Sequence, residues 1–290
     1  MTVFKSEAAR VSLLEHLPTF KARVLAPTID EAEVQTQFGR THVSMAGPAD
    51  APPLVAIHGA MASSIHLLAE LGPLPKTRRV IVLDVLGQSP LSEDARLPLT
   101  QAAAGAWVTE VMNQLNISQA DLLGVSWGGF FASRAAAAHP ERFKSLTLLV
   151  PSGYVDGPGF EAMWRLALPM FGWRVFAHEP SLRRMTAALF TTQDEAWVQW
   201  LSACMQSFNT QLVAPPLAND TELGAWRGRT LVVAAESDLS FPGEALLERT
   251  RALHPGVETA LVKGARHAPP FTDEVRAWLA GRIEGFLGGR

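Results

Sequence analysis

A serine between glycines is the first residue in this chain whose surroundings suggest chemistry. Ser126 lies in the segment GVSWGG at positions 124–129, where an apolar run ends and a helix-length segment begins. Glycines on both sides allow a turn too tight for other side chains, and the start of a helix favours developing negative charge. This pattern is typical of a nucleophile elbow, whereas a serine that only caps a helix needs no flanking glycines. We therefore predict that Ser126 is a nucleophile.

A serine hydroxyl needs a general base, and the base needs a carboxylate that orients it. Of the eight histidines, His267 follows the last predicted strand in a glycine-containing loop, from which it could reach back over a sheet. Asp238 ends the segment LVVAAESD between the serine and the histidine, with Glu236 and Asp156 as alternative acids. We predict a triad of Ser126, His267 and Asp238, whose activity falls as the pH drops through the histidine titration near about 6.5.

Attack on a carbonyl also requires hydrogen-bond donors for the oxyanion that develops. The backbone N–H of Trp127, directly after the nucleophile, is one predicted donor. The loop after the run PPLVAIHG should supply the other, since His58 and Gly59 are followed there by Ala60 and Met61. His58 itself is expected to pin this turn through a hydrogen bond and not to transfer protons.

Short apolar runs alternate with helix-length segments through most of the chain, and these elements must position the residues named above. The runs are PPLVAIHG, RRVIVLDVLG, ADLLGVS, KSLTLLVPSG, RTLVVAAESD and VETALVKGA. Strands that are apolar along their whole length predict an α/β fold with a mostly parallel central sheet flanked by helices. Functional residues gather at the carboxyl ends of such strands, where Ser126 and Asp238 both fall.

Two further patterns precede these runs. Residues 6–25 alternate apolar and charged positions in the manner of an amphipathic helix. The segments EAEVQTQF and THVSMAG flank Gly39 and Arg40, which predicts a hairpin with its tight turn at these two residues.

The region from 153 to 219 breaks the alternation, because it contains helical patterns and no convincing strand. We predict that it is a helical cap, inserted into a core made of residues 1–152 and 220–290, and that it lies over the strand ends as a lid. The last helical pattern in this region begins with Thr192 and Glu195 at the spacing of a capping box.

Tryptophan and methionine are concentrated in the predicted cap. Such side chains suit an apolar substrate pocket, and the predicted substrate-binding residues are Met61, Trp164, Met170, Trp173 and Trp197. Packing of the cap helices onto the sheet explains the same composition at least as well.

Together these segments resemble the α/β-hydrolase superfamily, in its lid-bearing serine esterase and peroxidase-like branch. The similar motifs are His-Gly at 58–59, DVLGQSP at 84–90, the elbow at 124–129, ESD at 236–238 and GARHAPP at 264–270. The resemblance implies the order nucleophile, acid and histidine for the predicted triad. It also implies that Ala60 and Trp127 supply the oxyanion-hole amides and that the helical insertion is the cap domain.

The chain also departs from the family pattern. Gln88 stands near the place where the family usually has a second glycine with an aromatic residue or histidine. The His-Gly pair is not followed by the glycine run of one lipase and esterase group. Ser126 at the elbow argues against haloalkane dehalogenases and epoxide hydrolases, which attack with an aspartate.

The charge and cysteine content of the chain bear on its binding partners and its compartment. The 290 residues include 25 basic and 28 acidic side chains, a formal net charge of −3, with no basic stripe. We therefore expect no nucleic acid and no membrane as a partner, and a homo-oligomer stays open. The single cysteine and the lack of a signal-type or membrane-spanning apolar run predict a cytoplasmic protein.

The predicted function is hydrolysis of a carboxylic ester of a small, largely apolar substrate through an acyl-enzyme intermediate. Clusters of metal-ligating side chains and a glycine-rich phosphate loop are absent from the sequence, so we expect neither a metal nor a cofactor. The alternatives are a carbon–carbon bond hydrolase, a lactonase or a perhydrolase with the same triad, or a non-catalytic receptor for a small ligand.

Overall fold

The computed structural model describes residues 2–209 and 215–289, and within them eight strands form one sheet. The strands are β1 (Ile29–Thr36), β2 (Gly39–Ala46), β3 (Pro53–Ile57), β4 (Arg79–Leu83), β5 (Ala120–Val125), β6 (Phe143–Leu149), β7 (Arg229–Ala235) and β8 (Glu258–Val262). Their spatial order is β1-β2-β4-β3-β5-β6-β7-β8, in which β2 pairs antiparallel with β1 and β4 and the remaining pairs are parallel. The predicted mostly parallel sheet is confirmed, and the carboxyl ends of β3 to β8 share one edge.

Helices cover both faces of this sheet. They are α1 (Glu7–Leu14), α2 (Leu17–Lys21), α3 (Ser64–Glu70), α4 (Gln101–Gln114), α5 (Trp127–Ala138), α6 (Gly159–Ala162), α7 (Leu168–Phe176), α8 (Glu179–Leu189), α9 (Glu195–Ser207), α10 (Asp220–Leu223), α11 (Gly243–Leu253) and α12 (Asp273–Gly288). Alternate residues of β3 point to opposite faces, so Val55 and Ile57 belong to the core cluster that includes residues of α4, α5 and α11, while Leu54 and Ala56 belong to the cluster that includes residues of α3 and α12. Burial on both faces explains the continuous apolar runs. In the described parts of the chain, no helix has the length and apolar character needed to cross a membrane.

The N-terminal segment is not the single helix predicted for residues 6–25. The first helix is capped by the side chain of Ser6 and ends at Leu14, and the second starts at Leu17 with Pro18 in its first turn. Proline has no N–H group, and its ring clashes with the carbonyl four residues earlier. The helix therefore ends and restarts before the proline.

The predicted hairpin exists, but its turn lies at Gln37 and Phe38, so the prediction of a turn at Gly39 and Arg40 is wrong. The strands β1 and β2 pair as far as Thr36 opposite Gly39. The Thr36 hydroxyl donates to the Gly39 carbonyl (2.7 Å) and accepts from the Phe38 N–H (3.2 Å). These threonine hydrogen bonds close the turn before the glycine is reached.

Between β6 and β7 the described residues form helices and no strand. The helices α6 to α9 follow one another here, with a π-helical turn at Met163–Ala167. The last of them, α9, is capped by Asp194, whose side chain accepts from the Trp197 N–H. The capping box predicted at Thr192 is therefore wrong, and the Thr192 hydroxyl instead accepts from the Phe271 N–H (3.1 Å).

Candidate active site

Ser126 is the single residue between β5 and α5, and its backbone is strained. Its φ of 50° and ψ of −115° lie outside the regions that residues other than glycine normally adopt. The Ser126 N–H donates to the Leu149 carbonyl (2.9 Å), and the Ser126 carbonyl accepts from the Ser152 N–H (3.0 Å). Both of its peptide groups are thus held by the end of β6. A strained residue in a sharp strand-to-helix turn is the geometry of a nucleophile elbow.

Three glycines make this turn sterically feasible. A Cβ atom on Gly124 would lie 2.5 Å from the Gly128 carbonyl oxygen, and one on Gly128 would lie 2.1 Å from the Ile57 carbonyl oxygen. A Cβ atom on Gly129 would lie 2.6 Å from the side chain of Pro151. Any side chain at these positions would push α5 away from the strands beneath it.

The structure brings Ser126, His267 and Asp238 together from the ends of three different strands. The Ser126 Oγ lies 3.0 Å from Nε2 of His267, and Nδ1 of His267 lies 2.7 Å from Oδ2 of Asp238. Because the Nδ1–H donates to the carboxylate, Nε2 can accept the proton of the serine hydroxyl. These contacts are those of a nucleophile, a base and an orienting acid.

The Asp238 carboxylate is held rigidly. It is only 4% exposed, and its Oδ1 accepts from the backbone N–H groups of Ser240 (2.7 Å) and Phe241 (3.2 Å). Of the alternative acids, Glu236 is exposed and accepts from a backbone N–H of the loop after β8, and Asp156 is exposed at the cavity described below. The histidine hydrogen bond goes to Asp238.

Two opposing effects set the pKa of His267. Burial lowers the pKa of the imidazole, and the charge and hydrogen bond of Asp238 raise it; the carboxylate prevails, so the pKa lies above the ordinary value of 6.5. The prediction that His267 titrates near its unperturbed pKa is therefore wrong, because its pKa lies above that value.

Ala60 and Trp127 line the same cavity as Ser126. A Cβ atom built on Gly59 would lie 4.0 Å from the Ser126 Oγ, so the loop after β3 runs beside the hydroxyl. Within residues 2–209 and 215–289, neither the Ala60 amide nor the Trp127 amide donates to a protein acceptor. Unused amides beside a nucleophile are the arrangement that an oxyanion hole requires.

His58 fixes the direction of one of these amides. Its Nε2 accepts from the Val85 N–H (2.9 Å), and its Nδ1 donates to the Gly59 carbonyl (2.7 Å). Burial lowers the pKa of His58, which keeps the ring neutral with its proton on Nδ1. The Gly59 carbonyl and the Ala60 N–H belong to one planar peptide group, so this hydrogen bond also orients that N–H. His58 thus pins the turn, as expected.

One cavity of about 720 Å³ contains Ser126 and His267. Residues of the helices that connect β6 and β7 line a first part of it, and residues at α3 and α12 line a second part. The first part is lined by Ala162, Leu189, Phe190, Trp197 and Leu201, and the second by Leu67, Leu71, Val275 and Leu279. Most of these side chains are apolar, which suits an apolar ligand.

The five residues predicted to bind substrate divide into two groups. Met61 and Trp197 line the cavity. Met170 and Trp173 do not line it, because they pack on a cluster formed by α8 and α9. Trp164 also lies away from the cavity, with its side chain 51% exposed. Helix packing, the alternative weighed for these residues, accounts for Met170 and Trp173.

Sequence reasoning missed a charged pair at the cavity wall. Glu70 of α3 and Arg276 of α12 form an ion pair (3.0 Å), and the Trp197 Nε1–H donates to Glu70 (3.1 Å). Together they connect three helices beside the candidate site. The sequence offers no distinct signal for this pair, because isolated charges on amphipathic helices usually face solvent.

Comparison with known proteins identifies the fold. A model of the α/β hydrolase fold matches residues 52–177. The crystal structure of naproxen esterase (carboxylesterase NP) from Bacillus subtilis aligns with 96% of this chain and 97% of its own chain, with a TM-score of 0.81 and 21% identity. The chain therefore has the α/β-hydrolase fold.

The chain is also similar in sequence to two proteins of Bacillus subtilis (strain 168). The uncharacterized carboxylesterase nap is 26% identical over 81% of this chain and 79% of its own length. The carboxylesterase YbfK is 25% identical over 88% of this chain and 87% of its own length. Within the part of the chain that the structure describes, no group of three or more His, Cys, Asp or Glu side chains could hold a metal ion.

Proposed function

We propose that this protein is a serine hydrolase that cleaves a carboxylic ester of a small, largely apolar substrate through an acyl-enzyme intermediate. The observation that carries the proposal is the position of His267, which contacts the Ser126 Oγ at 3.0 Å and the Asp238 carboxylate at 2.7 Å. The similarity to two carboxylesterases over most of the chain supports an ester as the substrate.

In the acylation step, the Ser126 Oγ attacks the ester carbonyl while Nε2 of His267 takes the hydroxyl proton. The imidazolium that forms is stabilised by Asp238, which accepts the Nδ1–H throughout. The carbonyl oxygen becomes an oxyanion and accepts from the amides of Ala60 and Trp127. Collapse of the tetrahedral intermediate transfers the proton from Nε2 to the departing alcohol and leaves an acyl group on the serine.

In the deacylation step, water replaces the alcohol. Nε2 of His267 takes a proton from the water while the water oxygen attacks the acyl carbonyl. The amides of Ala60 and Trp127 then donate to the oxyanion of the second tetrahedral intermediate. The proton then returns to the Ser126 Oγ as the carboxylic acid leaves. With the ester and water as reactants, the residues named here balance both steps.

The helical region between β6 and β7 is proposed to act as the cap of the core, with residues 153–219 as its bounds. Supporting this role, Phe190 and Trp197 of this region line the cavity that contains Ser126 and His267. The ring of Trp197 stacks on Phe271 with centroids 5.5 Å apart and an interplanar angle of 15°. A cap with aromatic walls would exclude water and favour apolar ester groups.

The decisive experiment compares the wild type with Ser126→Ala on short-chain p-nitrophenyl esters. We expect the substitution to lower kcat by about 10³-fold or more, because the remaining groups cannot form the acyl-enzyme. A fluorophosphonate should label the wild type at Ser126, located by peptide mass spectrometry. Ser133→Ala is the matched control, because Ser133 is buried on α5, the helix that follows Ser126, and its hydroxyl donates to the Phe130 carbonyl.

Absence of both turnover and labelling in the wild type would refute the serine hydrolase. Labelling of Ser126 without ester turnover would instead direct the search to carbon–carbon bond cleavage. That second candidate is favoured by the similarity to a 2-hydroxymuconate semialdehyde hydrolase of Pseudomonas putida, which is 28% identical over 59% of this chain.

A further inference from the structure

The backbone of Met61, next to the proposed oxyanion donor Ala60, is held by side chains from two distant parts of the chain. The Met61 N–H donates to Oε1 of Gln88, in the loop after β4, at 3.1 Å. The Met61 carbonyl accepts from Nε1–H of Trp200, on α9, at 2.6 Å. The Cys204 Sγ lies 3.9 Å from the same carbonyl oxygen.

These hydrogen bonds complete a series of three consecutive peptide groups whose orientations are fixed. His58 holds the peptide group that joins Gly59 to Ala60, through its carbonyl. Gln88 holds the next peptide group through the Met61 N–H, and Trp200 holds the one after it through the Met61 carbonyl. Because each peptide group is planar, little freedom remains for the Ala60 N–H to turn away from Ser126.

Met61 needs such support because its φ is 50°. A residue other than glycine keeps this conformation only where its surroundings over-determine it. Among the described residues, Met61, Ser126 and Val150 are three of the five non-glycine residues with positive φ, and all three line the cavity. The backbone strain is therefore concentrated at the candidate site.

The Trp200 side chain suits a fixed anchor. It is 0% exposed and lies against the His66 ring, with centroids 4.3 Å apart. No solvent is in reach to replace the carbonyl as the acceptor of its Nε1–H, so loss of this contact would leave a buried donor unpaired. The indole is thus constrained both by packing and by its hydrogen bond.

We propose that Trp200 and Gln88 are positioning residues that hold Met61, and through it the Ala60 N–H, in the orientation that binds the oxyanion. The inference rests on the proposed function, since an oxyanion must form for this orientation to matter. It makes α9 a part of the catalytic scaffold and not only a cover over the substrate. It also assigns a role to Gln88, the residue at which the chain departs from the family pattern.

The test is Trp200→Phe, which keeps most of the buried ring and removes the Nε1–H. Complete loss of an oxyanion donor costs ~10²–10³ in rate, and displacement of a donor should cost less. We therefore expect kcat to fall by about 10- to 100-fold with KM nearly unchanged, measured on a p-nitrophenyl ester. The affinity for a trifluoromethyl ketone, which forms a reversible adduct with the serine, should weaken by a similar factor.

Trp107→Phe is the matched control. Trp107 is also 0% exposed, its Nε1–H donates to the Thr41 hydroxyl (2.9 Å), and neither residue lines the cavity. The control should lose stability in urea unfolding as Trp200→Phe does, but it should retain the wild-type kcat. Gln88→Met, which removes the acceptor at similar volume, should reproduce the fall in kcat seen for Trp200→Phe.

The double variant of Trp200 and Gln88 separates the outcomes further. Because both side chains act through Met61, the fall in kcat of the double variant should be smaller than the product of the falls seen in the two single variants. A Trp200→Phe protein with the kcat of the control would overturn the positioning role while leaving the proposed function intact. A wild-type protein that neither hydrolyses esters nor binds the ketone would refute the proposed function itself.

Discussion

His267 is the residue whose protonation state should decide activity. Its Nε2 faces the Ser126 hydroxyl, and its Nδ1 faces a carboxylate that holds the pKa above the ordinary value of 6.5. The protonated imidazole cannot take the serine proton. The same carboxylate that orients the ring for catalysis therefore also narrows the pH range in which the ring is a base.

We predict that kcat/KM of the wild type falls on the acid side with an apparent pKa above about 6.5. The rise comes from Asp238, so Asp238→Asn should move this acidic limb to lower pH. The same substitution should lower kcat by about 10²–10⁴-fold, because the imidazole loses its orienting partner. Rates on a p-nitrophenyl ester from about pH 5 to about pH 9 measure both effects.

The unchanged far-ultraviolet circular dichroism of Asp238→Asn serves as the control for folding. An acidic limb at the same pH in both proteins would contradict the assignment of Asp238. In that case Glu236 and Asp156 are the next acids to replace.

At the scale of elements, the junction of β5 and α5 depends on close contact between main chains. Gly128 lies against β3 so closely that a Cβ atom would be 2.1 Å from the Ile57 carbonyl oxygen. Gly281, in the middle of α12, has no neighbouring atom within 4 Å of a Cβ atom. A methyl group added at Gly128 would therefore clash with the backbone of β3, whereas one added at Gly281 would clash with nothing.

We predict that Gly128→Ala lowers the free energy of unfolding by about 1–3 kcal/mol or more, because α5 must move away from the sheet. It should also lower kcat, since Ser126 begins the same turn. The control Gly281→Ala should raise the free energy of unfolding by about 1 kcal/mol, because alanine favours the helix. Urea unfolding followed by circular dichroism compares the two variants, and equal stability of both would show that the backbone contact at Gly128 is unimportant.

At the scale of the whole molecule, the cavity is made by elements that are far apart in the chain. Leu279 of α12 lines it together with Leu67 of α3. Leu287 lies on the same helix and packs on the same core cluster, but it does not line the cavity. This pair of leucines allows the volume of the cavity to be tested with a control on the same element.

We predict that Leu279→Trp lowers kcat/KM for p-nitrophenyl octanoate by about 10-fold or more and leaves that for the acetate nearly unchanged. Each methylene group that is no longer buried forfeits about 0.8 kcal/mol, or roughly fourfold in rate. Leu287→Trp should keep the wild-type ratio of the two rates. A ratio that is the same in all three proteins would place the substrate chain elsewhere.

The sequence by itself determined the type of fold and pointed to the three triad positions. Apolar runs predicted the parallel strands, because strands buried on both faces have no polar side. The glycines around Ser126 indicated a sharp turn, and the positions of Asp238 and His267 followed from the order of the strands. These are local properties of short segments, and they need no knowledge of distant contacts.

Local patterns were less reliable where two signals competed. The capping position was predicted at Thr192, but Asp194 is closer to the helix and caps it. The amphipathic pattern of residues 6–25 ignored Pro18, which cannot lie inside a continuous helix. In both cases a nearby residue with a stronger backbone preference decided the outcome.

Only the tertiary structure decided which side chains meet at the site. The sequence contains nothing that relates Met61 to Trp200, which are 139 residues apart, because their contact depends on how α9 packs over the loop after β3. For the same reason the sequence could not tell that Trp197 lines the cavity while Trp173 packs between helices. Composition reports that apolar side chains are present, but only the packing of helices determines which of them face the substrate.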